Sequence, residues 1–324
     1  MLLLRHRTRK IVFRGLIALY FIVATWLLLF ANGFRIQFSP ITISRTGNIL
    51  ATFKPTGADV ELDKNGTKYS SPARIRSLFP GIHQISISAN GYLPYERTIR
   101  VEPKMTSFIS DIYLIRDIAP EPHTTAVANP AEVDIKKLIA QTVGKDVKLQ
   151  TTAASGTRII IDGAVASRDL GTGAWKIVGG DTNVLAITRL ESDEVQFRAW
   201  GQIDTVVATL PGHKVVSTVF NGANSLLAIS DFELWNFDTD TRAAELIYRF
   251  STPIISVLPV PKTTLIIVAL PDEINAFHLG DHHYIPTTIV RGSIVANNIS
   301  NDGLNLLYSI KEGQETKNFS RLLY

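Results

Sequence analysis

The chain of 324 residues has room for about two domains, and its 45% hydrophobic and 19% charged residues exclude global disorder. It contains no cysteine, which excludes disulfide frameworks and thiolate metal sites. The net charge of +4 comes from the N-terminus: five of the 33 basic residues precede the apolar run, and the other 28 stand against 29 acidic residues. Because no basic domain face is indicated, we expect no nucleic-acid partner.

The first predicted element is an apolar helix that crosses a membrane. Residues 16–31, LIALYFIVATWLLLFA, carry no charge, and the uncharged residues 11–13 extend the run across a snorkelling Arg14. At about 1.5 Å per residue this length matches a hydrocarbon core of roughly 30 Å. We therefore predict a basic tail at 1–10 and a transmembrane helix at 11–32, with Arg14, Leu16, Trp26 and Ala31 among its residues.

The charge flanking this helix predicts its orientation. Arg5, Arg7, Arg9, Lys10 and Arg14 lie on its N-terminal side, so the positive-inside rule places the N-terminus in the cytoplasm and the rest outside. Two alternatives remain open. One is a cleaved signal peptide, with Ala31 and Gly33 at its cleavage site, although the apolar run exceeds the usual length of about 7–15 residues. The other is a buried core helix.

A small antiparallel β-sandwich is predicted at 33–118. In the segment PTGADVELDKNG, Ala58, Val60 and Leu62 alternate with acidic residues, and Asn65-Gly66 then signals a hairpin. Similar short strands follow, separated by Pro and Gly. No helical period lies between them, which indicates a sandwich.

The turn residues of this region resemble the PEGA domain over roughly residues 47–115. The motif residues that carry the resemblance are Pro55, Gly57, Ala58, Pro80, Gly81, His83, Gly91 and Tyr92. One position departs from the family pattern, because Thr56 stands where the family name has glutamate. Together with the basic tail and the helix, the pattern is similar to membrane-anchored PEGA surface proteins of small-genome bacteria. The resemblance implies an extracytoplasmic structural or binding role. His83 shares a face with Ile85 and Ile87, so we interpret it as a packed or rim histidine, and Tyr92 as a packing aromatic.

A linker with a short helix is predicted at 119–146. The stretch RDIAPEPHTTAVANP shows no alternation. Asn129 as a cap, Pro130 at the first helical position and apolar residues at helical spacing up to Val143 then predict a helix.

A repeat of about 40 residues fills the predicted domain at 147–324. Apolar landmarks recur in step, namely Leu226, Ile266 and Leu306, then Leu234 and Ile274, then Phe237 and Phe277. Each unit reads as strand, turn, strand, turn, strand, the layout of a propeller blade. Four to five units predict a β-propeller-like domain, with a stacked solenoid of sheets as the alternative.

The sequence contains few candidate metal-binding or catalytic residues. His278, Asp281, His282 and His283 form a weak candidate metal site, but they fall at a turn where polar residues are expected anyway. Asp238 and Asp240 read as a solvated turn. Neither a complete nucleotide-binding loop nor a G-x-S-x-G elbow occurs, so we expect no cofactor and no catalytic residue.

The sequence thus predicts an all-β ectodomain, a PEGA sandwich plus propeller-like repeats, behind one N-terminal transmembrane helix. We expect a non-catalytic surface protein that contacts the lipid bilayer through its helix and an envelope polymer or a protein through its head. The alternative is an envelope-active hydrolase of glycosides or peptides, with its site in the propeller channel.

Overall fold

The computed structural model describes residues 6–38, 41–128, 143–152, 156–171, 173–220, 223–279 and 284–324. The chain forms two compact units, and β9 runs from the first into the second. Unit 1 comprises Met1–Ala89 and Pro94–Ser110, and unit 2 comprises Asn90–Leu93 and Asp111–Tyr324. The helix predicted after Asn129 lies outside the described residues, except for Val143 at its end.

Unit 1 begins with the predicted apolar helix, α1, which spans His6–Ala31. Its stretch Lys10–Ala31 has 22 residues, none of them buried, and is long and apolar enough to cross a membrane. A signal sequence near the N-terminus passes the same test. The fold class is confirmed: a single N-terminal apolar helix precedes β-sheet throughout the described part of the chain.

The rest of unit 1 consists of a hairpin and two facing sheets. Their strands are β1 (Phe34–Phe38), β2 (Ile41–Arg45), β3 (Gly47–Lys54), β4 (Asp59–Leu62), β5 (Lys68–Ser70), β6 (Ala73–Leu78), β7 (Gly81–Ser88), β8 (Tyr95–Val101) and β9 (Thr106–Tyr113). β1 pairs with β2, one sheet has the order β6-β3-β9, and the other has the order β5-β4-β7-β8.

The alternation read from the sequence decides which side chains fill the sandwich. Ala58, Val60 and Leu62 are buried, as are Ile85 and Ile87 on the neighbouring strand. The residues between them face outward, and β4 pairs with β5 across the predicted hairpin turn. Burying one face of each sheet holds the two sheets together.

Unit 2 consists of small antiparallel sheets. Its strands are β10 (Glu121–Pro122), β11 (Val147–Thr152), β12 (Gly156–Ile161), β13 (Ala164–Val165), β14 (Trp175–Gly180), β15 (Val184–Arg189), β16 (Glu194–Ala199), β17 (Gln202–Pro211), β18 (Lys214–Phe220), β19 (Ala223–Ile229), β20 (Glu233–Asp238), β21 (Ala244–Arg249), β22 (Ser256–Pro259), β23 (Leu265–Ala269), β24 (Glu273–His278), β25 (Thr287–Arg291), β26 (Ile294–Ile299), β27 (Asn305–Glu312) and β28 (Glu315–Leu322). Within the described residues they form five sheets: sheet 1 (β11–β13), sheet 2 (β14–β17), sheet 3 (β18–β21), sheet 4 (β22–β25) and sheet 5 (β26–β28 with β10).

The repeat landmarks occupy equivalent places in successive sheets. Leu226 pairs with Phe237 in sheet 3, and Ile266 pairs with Phe277 in sheet 4. Separate apolar clusters fill the spaces between sheets 1 and 2, 2 and 3, 3 and 4, and 4 and 5. The first strands of successive sheets contact one another. This is the propeller-like arrangement that the 40-residue spacing predicts.

The fifth sheet shows a departure from the sequence interpretation. Glu121 and Pro122, in the predicted linker, form the outer strand β10 and pair with Ser320 and Phe319 of β28. Just before β10, Arg116 N donates to Leu323 O at 2.9 Å. The start of unit 2 is therefore fastened to its last strand. The sequence interpretation missed this strand because two residues with a Pro give no alternation pattern.

Candidate functional site

The predicted anchor residues all lie on α1. The side chains of Arg14, Leu16 and Trp26 and the terminal Ala31 are exposed. The indole ring of Trp26 contacts the ring of Phe30, with centroids 5.6 Å apart. A helix with an apolar surface on all sides fits a lipid environment better than water.

The PEGA motif residues of unit 1 lie in turns of the sandwich or in the strands next to them. Ala58 is buried, its N donates to Pro55 O at 3.0 Å, and Gly81 opens β7 after Pro80. His83 Nδ1 lies 2.6 Å from Asp63 Oδ2, and its Nε2 lies 2.8 Å from the backbone oxygen of Phe79. Both partner atoms are oxygens that accept hydrogen bonds. His83 thus links two turns of the sandwich.

The second motif pair, Gly91 and Tyr92, lies in the segment that belongs to unit 2. Gly91 has a φ of 78°, which favours glycine. Tyr92 forms a β-bridge with Arg116, whose guanidinium lies 5.5 Å from the ring centroid. Tyr92 thus packs against Arg116.

Of the four weak metal candidates, the structure describes His278. His278 is buried at the end of β24, and its Nε2 lies 2.8 Å from Tyr113 O. Burial lowers the pKa of His278 to about 4, against the opposing effect of the hydrogen bond to Tyr113 O. Asp281, His282 and His283 lie outside the described residues. The residues that are described include no group of three possible metal ligands.

Unit 2 has a cleft between turns of sheets 2 and 3. We call it the polar cleft; it has a volume of about 810 Å³ and is lined by residues that include Thr182, Asn183, Trp200, Gln202, Asp240 and Arg242. The turns β14–β15, β16–β17 and β20–β21 supply these residues. Because antiparallel sheets return alternate turns to the same edge, the three turns meet there.

The turns that form the floor of the polar cleft are held by a buried carboxylate, Asp181, which is next to the lining residues. Asp181 Oδ1 accepts hydrogen bonds from Asn183 N and Val184 N, each at 2.9 Å. Asp181 Oδ2 accepts one from Thr239 Oγ1 of sheet 3 at 2.6 Å. The backbone oxygen of Asp181 accepts the indole N–H of Trp200 at 2.6 Å. A buried carboxylate with this many donors rigidifies the turns around it.

The rim of the cleft is fixed by a second contact between the sheets. Asn183 Nδ2 donates to Asp240 Oδ1 at 2.7 Å. Next to it, burial of Asp238 opposes ionisation, but hydrogen bonds from Thr241 and Asp240 outweigh burial and lower the pKa of Asp238. Lys145 Nζ lies 5.1 Å from the Trp200 ring centroid. The cleft thus offers amide, hydroxyl, carboxylate and guanidinium groups on a rigid floor, an arrangement suited to hydrogen-bonding a polar ligand.

The sequence interpretation did not predict this cleft. It took Asp238 and Asp240 as a solvated turn, and Asp240 is exposed at the rim. Asp181 and Asn183 were not singled out, although Gly179-Gly180-Asp181 ends a buried strand. No pattern in the local sequence could show that the turn at Asn183 meets the turn at Asp240.

The chain has distant likenesses among solved structures, including two structures of Hsv2. A KlHsv2 variant with loop 6CD replaced by a Gly-Ser linker is 14% identical, with a TM-score of 0.38 over 69% of this chain and 70% of that one. Hsv2 from Kluyvelomyces marxianus is 12% identical, with a TM-score of 0.36 over 81% of this chain and 69% of that one. Because both TM-scores are low, the fold described here rests on the strand pairing of this chain.

Comparison by sequence is informative for unit 1. The chain matches no curated protein. The family model described as PEGA domain matches residues 46–110, which confirms the resemblance carried by the turn residues of the sandwich. The chain therefore contains a PEGA domain.

Proposed function

We propose that this chain is a non-catalytic, membrane-anchored bacterial surface protein whose head binds an envelope polymer or a protein at the polar cleft. The apolar helix α1 acts as a single-pass anchor, with its N-terminus in the cytoplasm. The PEGA sandwich is a scaffold, and unit 2 is the binding head. The observation that carries the proposal is the polar cleft, whose floor is fixed by Asp181 and whose rim groups are exposed.

Two features support this proposal. The basic residues of this region lie at the N-terminal end of the helix, which favours placement of that end in the cytoplasm. The carboxylates at the cleft, Asp181 and Asp240, accept hydrogen bonds from the protein itself. Carboxylates held in this way suit a binding surface better than proton transfer.

The experiment compares binding and turnover on the full-length protein reconstituted in lipid nanodiscs. Purified cell-wall polymers and envelope protein extracts are added, and retained material and released products are measured separately. We expect retention without product. Gln202→Ala combined with Arg242→Ala should weaken retention about tenfold, since lost contacts worth about 1.4 kcal/mol change the equilibrium constant by that factor.

The matched control removes an exposed ion pair elsewhere in unit 2. Lys317 Nζ lies 2.6 Å from Glu312 Oε2, and both side chains are about half exposed. Glu312→Ala with Lys317→Ala should leave retention unchanged. If control and cleft variants bind equally well, the cleft is not the binding site.

The alternative function is an envelope-active hydrolase. Asp240 lines the cleft and the buried Asp181 is adjacent to the lining, and pairs of carboxylates perform glycoside hydrolysis. Release of soluble sugars or peptides that is lost in Asp240→Asn would establish this alternative and reject a purely binding role.

A further inference from the structure

The hairpin β1–β2 directly follows α1. In the described part of the chain these two strands pair with each other and with no further strand. An isolated hairpin is at best marginally stable in water and needs packing on one face. The hairpin β1–β2 therefore needs a partner that covers one of its faces.

The open end of the hairpin is held against the end of the helix. Arg35 Nη1 donates to Phe30 O at 3.1 Å, and the Arg35 guanidinium lies 3.6 Å from the Phe30 ring centroid. Across the hairpin, Thr46 N donates to Gly33 O at 2.9 Å. The first residues of the hairpin thus lie within a few ångströms of the last helical turn.

One face of the hairpin is apolar and carries a cation. Ile36 and Ile43 are directly opposite each other and are 42% and 60% exposed. Phe34 and Arg45, also opposite each other, share that face because side chains alternate along strands. The guanidinium of Arg45 lies 4.6 Å from the Phe34 ring centroid. We call Phe34, Ile36, Ile43 and Arg45 the hairpin face.

The hairpin cations Arg35 and Arg45 lie apart from the carboxylates that the structure describes. No acidic residue precedes Asp59 in the sequence. Among the described residues, no acidic side chain lies within ion-pairing distance of Arg35 or Arg45. Guanidinium groups bind phosphate with two parallel hydrogen bonds. Phosphate of a lipid headgroup is the anion nearest to the end of a membrane-spanning helix.

We infer that the hairpin face lies in the headgroup layer of the bilayer that α1 spans. Ile36 and Ile43 contact the upper acyl chains, and Arg45 and Arg35 bind lipid phosphates. The interfacial layer suits such a mixed face because apolar and cationic groups are both stabilised there. The inference rests on the anchor in the proposed function, and it adds a second membrane contact beyond the helix.

The test uses single cysteines, because the chain has no cysteine of its own. Full-length Ile43→Cys and Ile36→Cys, each labelled with the fluorophore NBD, are reconstituted in phosphatidylcholine–phosphatidylglycerol vesicles. Some of the lipids carry a nitroxide quencher on the headgroup or on the acyl chain. Leu28→Cys reports on the anchor, and Leu190→Cys, at a residue 63% exposed in unit 2, is the control matched to Ile43 in exposure.

The inference predicts that headgroup nitroxide quenches the Ile43 and Ile36 labels severalfold more than the Leu190 label. The Leu28 label should be quenched by acyl-chain nitroxide. Suppose that acyl-chain nitroxide quenches the Leu28 label, while headgroup nitroxide quenches both hairpin labels no more than the Leu190 label. The inference about the hairpin is then overturned, and the anchor is supported. If the Leu28 label is not quenched, the anchor itself fails.

A second copy of the chain is the competing occupant of the hairpin face. In that case the hairpin labels would match the control in quenching, and their emission would change with the protein-to-lipid ratio. That result would also overturn the inference. Arg45→Gln adds a test of the phosphate contact, since it should reduce headgroup quenching of the Ile43 label at least twofold.

Discussion

His83 and His278 show how the surroundings of a histidine decide its role. His83 lies between two acceptors, Asp63 and the backbone oxygen of Phe79, at the surface of the sandwich. His278 lies in the interior of unit 2 and meets a backbone oxygen of Tyr113. Burial of His278 lowers its pKa and disfavours a charged ring.

The buried His278 predicts that acid destabilises the protein. The unfolded chain binds a proton at His278 below about pH 6.5, whereas the folded chain does so only below about pH 4, the lowered pKa of His278. Stability from the neutral ring is therefore complete above pH 6.5 and is lost as the pH falls towards 4, by about 3 kcal/mol in total. Urea unfolding monitored by tryptophan fluorescence at pH 7 and pH 5 measures the slope.

His278→Gln serves as the comparison for this prediction. Glutamine keeps an N–H that can donate to Tyr113 O but does not titrate. We expect the loss of unfolding free energy between pH 7 and pH 5 to shrink by about 2 kcal/mol in the variant. An unchanged pH slope would mean that His278 does not bind protons differently in the two states.

At the scale of elements, unit 2 depends on aromatic residues that recur between its sheets. Phe197 and Phe237 stack with ring centroids 4.4 Å apart, and Phe277 contacts Phe250 at 5.8 Å in the next cluster. Phe197, Phe237 and Phe277 are fully buried. Each of them contributes to the packing between neighbouring sheets.

Phe237→Ala should lower the free energy of unfolding of unit 2 by about 3–5 kcal/mol, because a large buried ring is lost and a cavity remains. The matched control is Phe232→Ala, since Phe232 is exposed in a turn nearby. It should cost less than about 1 kcal/mol. Denaturant titration of both variants checks the difference, and equal losses would contradict this account of the packing.

Arg321 of β28 fastens the first segment of unit 2 to the last sheet. Its Nη1 donates to Ile289 O at 2.6 Å and its Nη2 to Arg116 O at 2.9 Å, and the side chain is buried. Arg321→Ala leaves both oxygens without this donor and should cost about 2–4 kcal/mol.

Hydrogen exchange gives the most local readout of the Arg321 variant. Protection should fall in residues 116–123 and in β28, while Lys317→Ala, an exposed neighbour on the same strand, should leave it unchanged. If protection in Arg321→Ala stays at the level of the natural chain, the fastening role is wrong.

The sequence predicts the elements whose pattern is local. Alternation around Val60 and the Asn65-Gly66 turn predict β4 and its hairpin, and the 40-residue spacing predicts that Leu226 and Ile266 occupy equivalent places. It does not predict β10, because what defines that strand is the free edge of β28. The polar cleft also cannot be predicted from local patterns, because Asp181 and Thr239 meet only after two sheets have packed.

At the scale of the whole molecule, the central claim is a partition across a membrane. The helix α1 is apolar on all sides, and the sheets that follow it have ordinary buried cores and polar turns. Such sheets belong in water, and the basic residues ahead of the helix favour a cytoplasmic N-terminus. In the proposed orientation, the PEGA domain and the propeller-like head are each on the outer side of the membrane.

The most direct measurement is cysteine labelling of intact cells with a membrane-impermeant maleimide. Leu190→Cys, in unit 2, should react in intact cells, and Lys10→Cys, at the start of the span, should react only after the membrane is permeabilised. Reaction of Lys10→Cys in intact cells together with protection of Leu190→Cys would contradict the account. Absence of residue 10 from the mature chain would do so as well, because the helix would then be a cleaved signal.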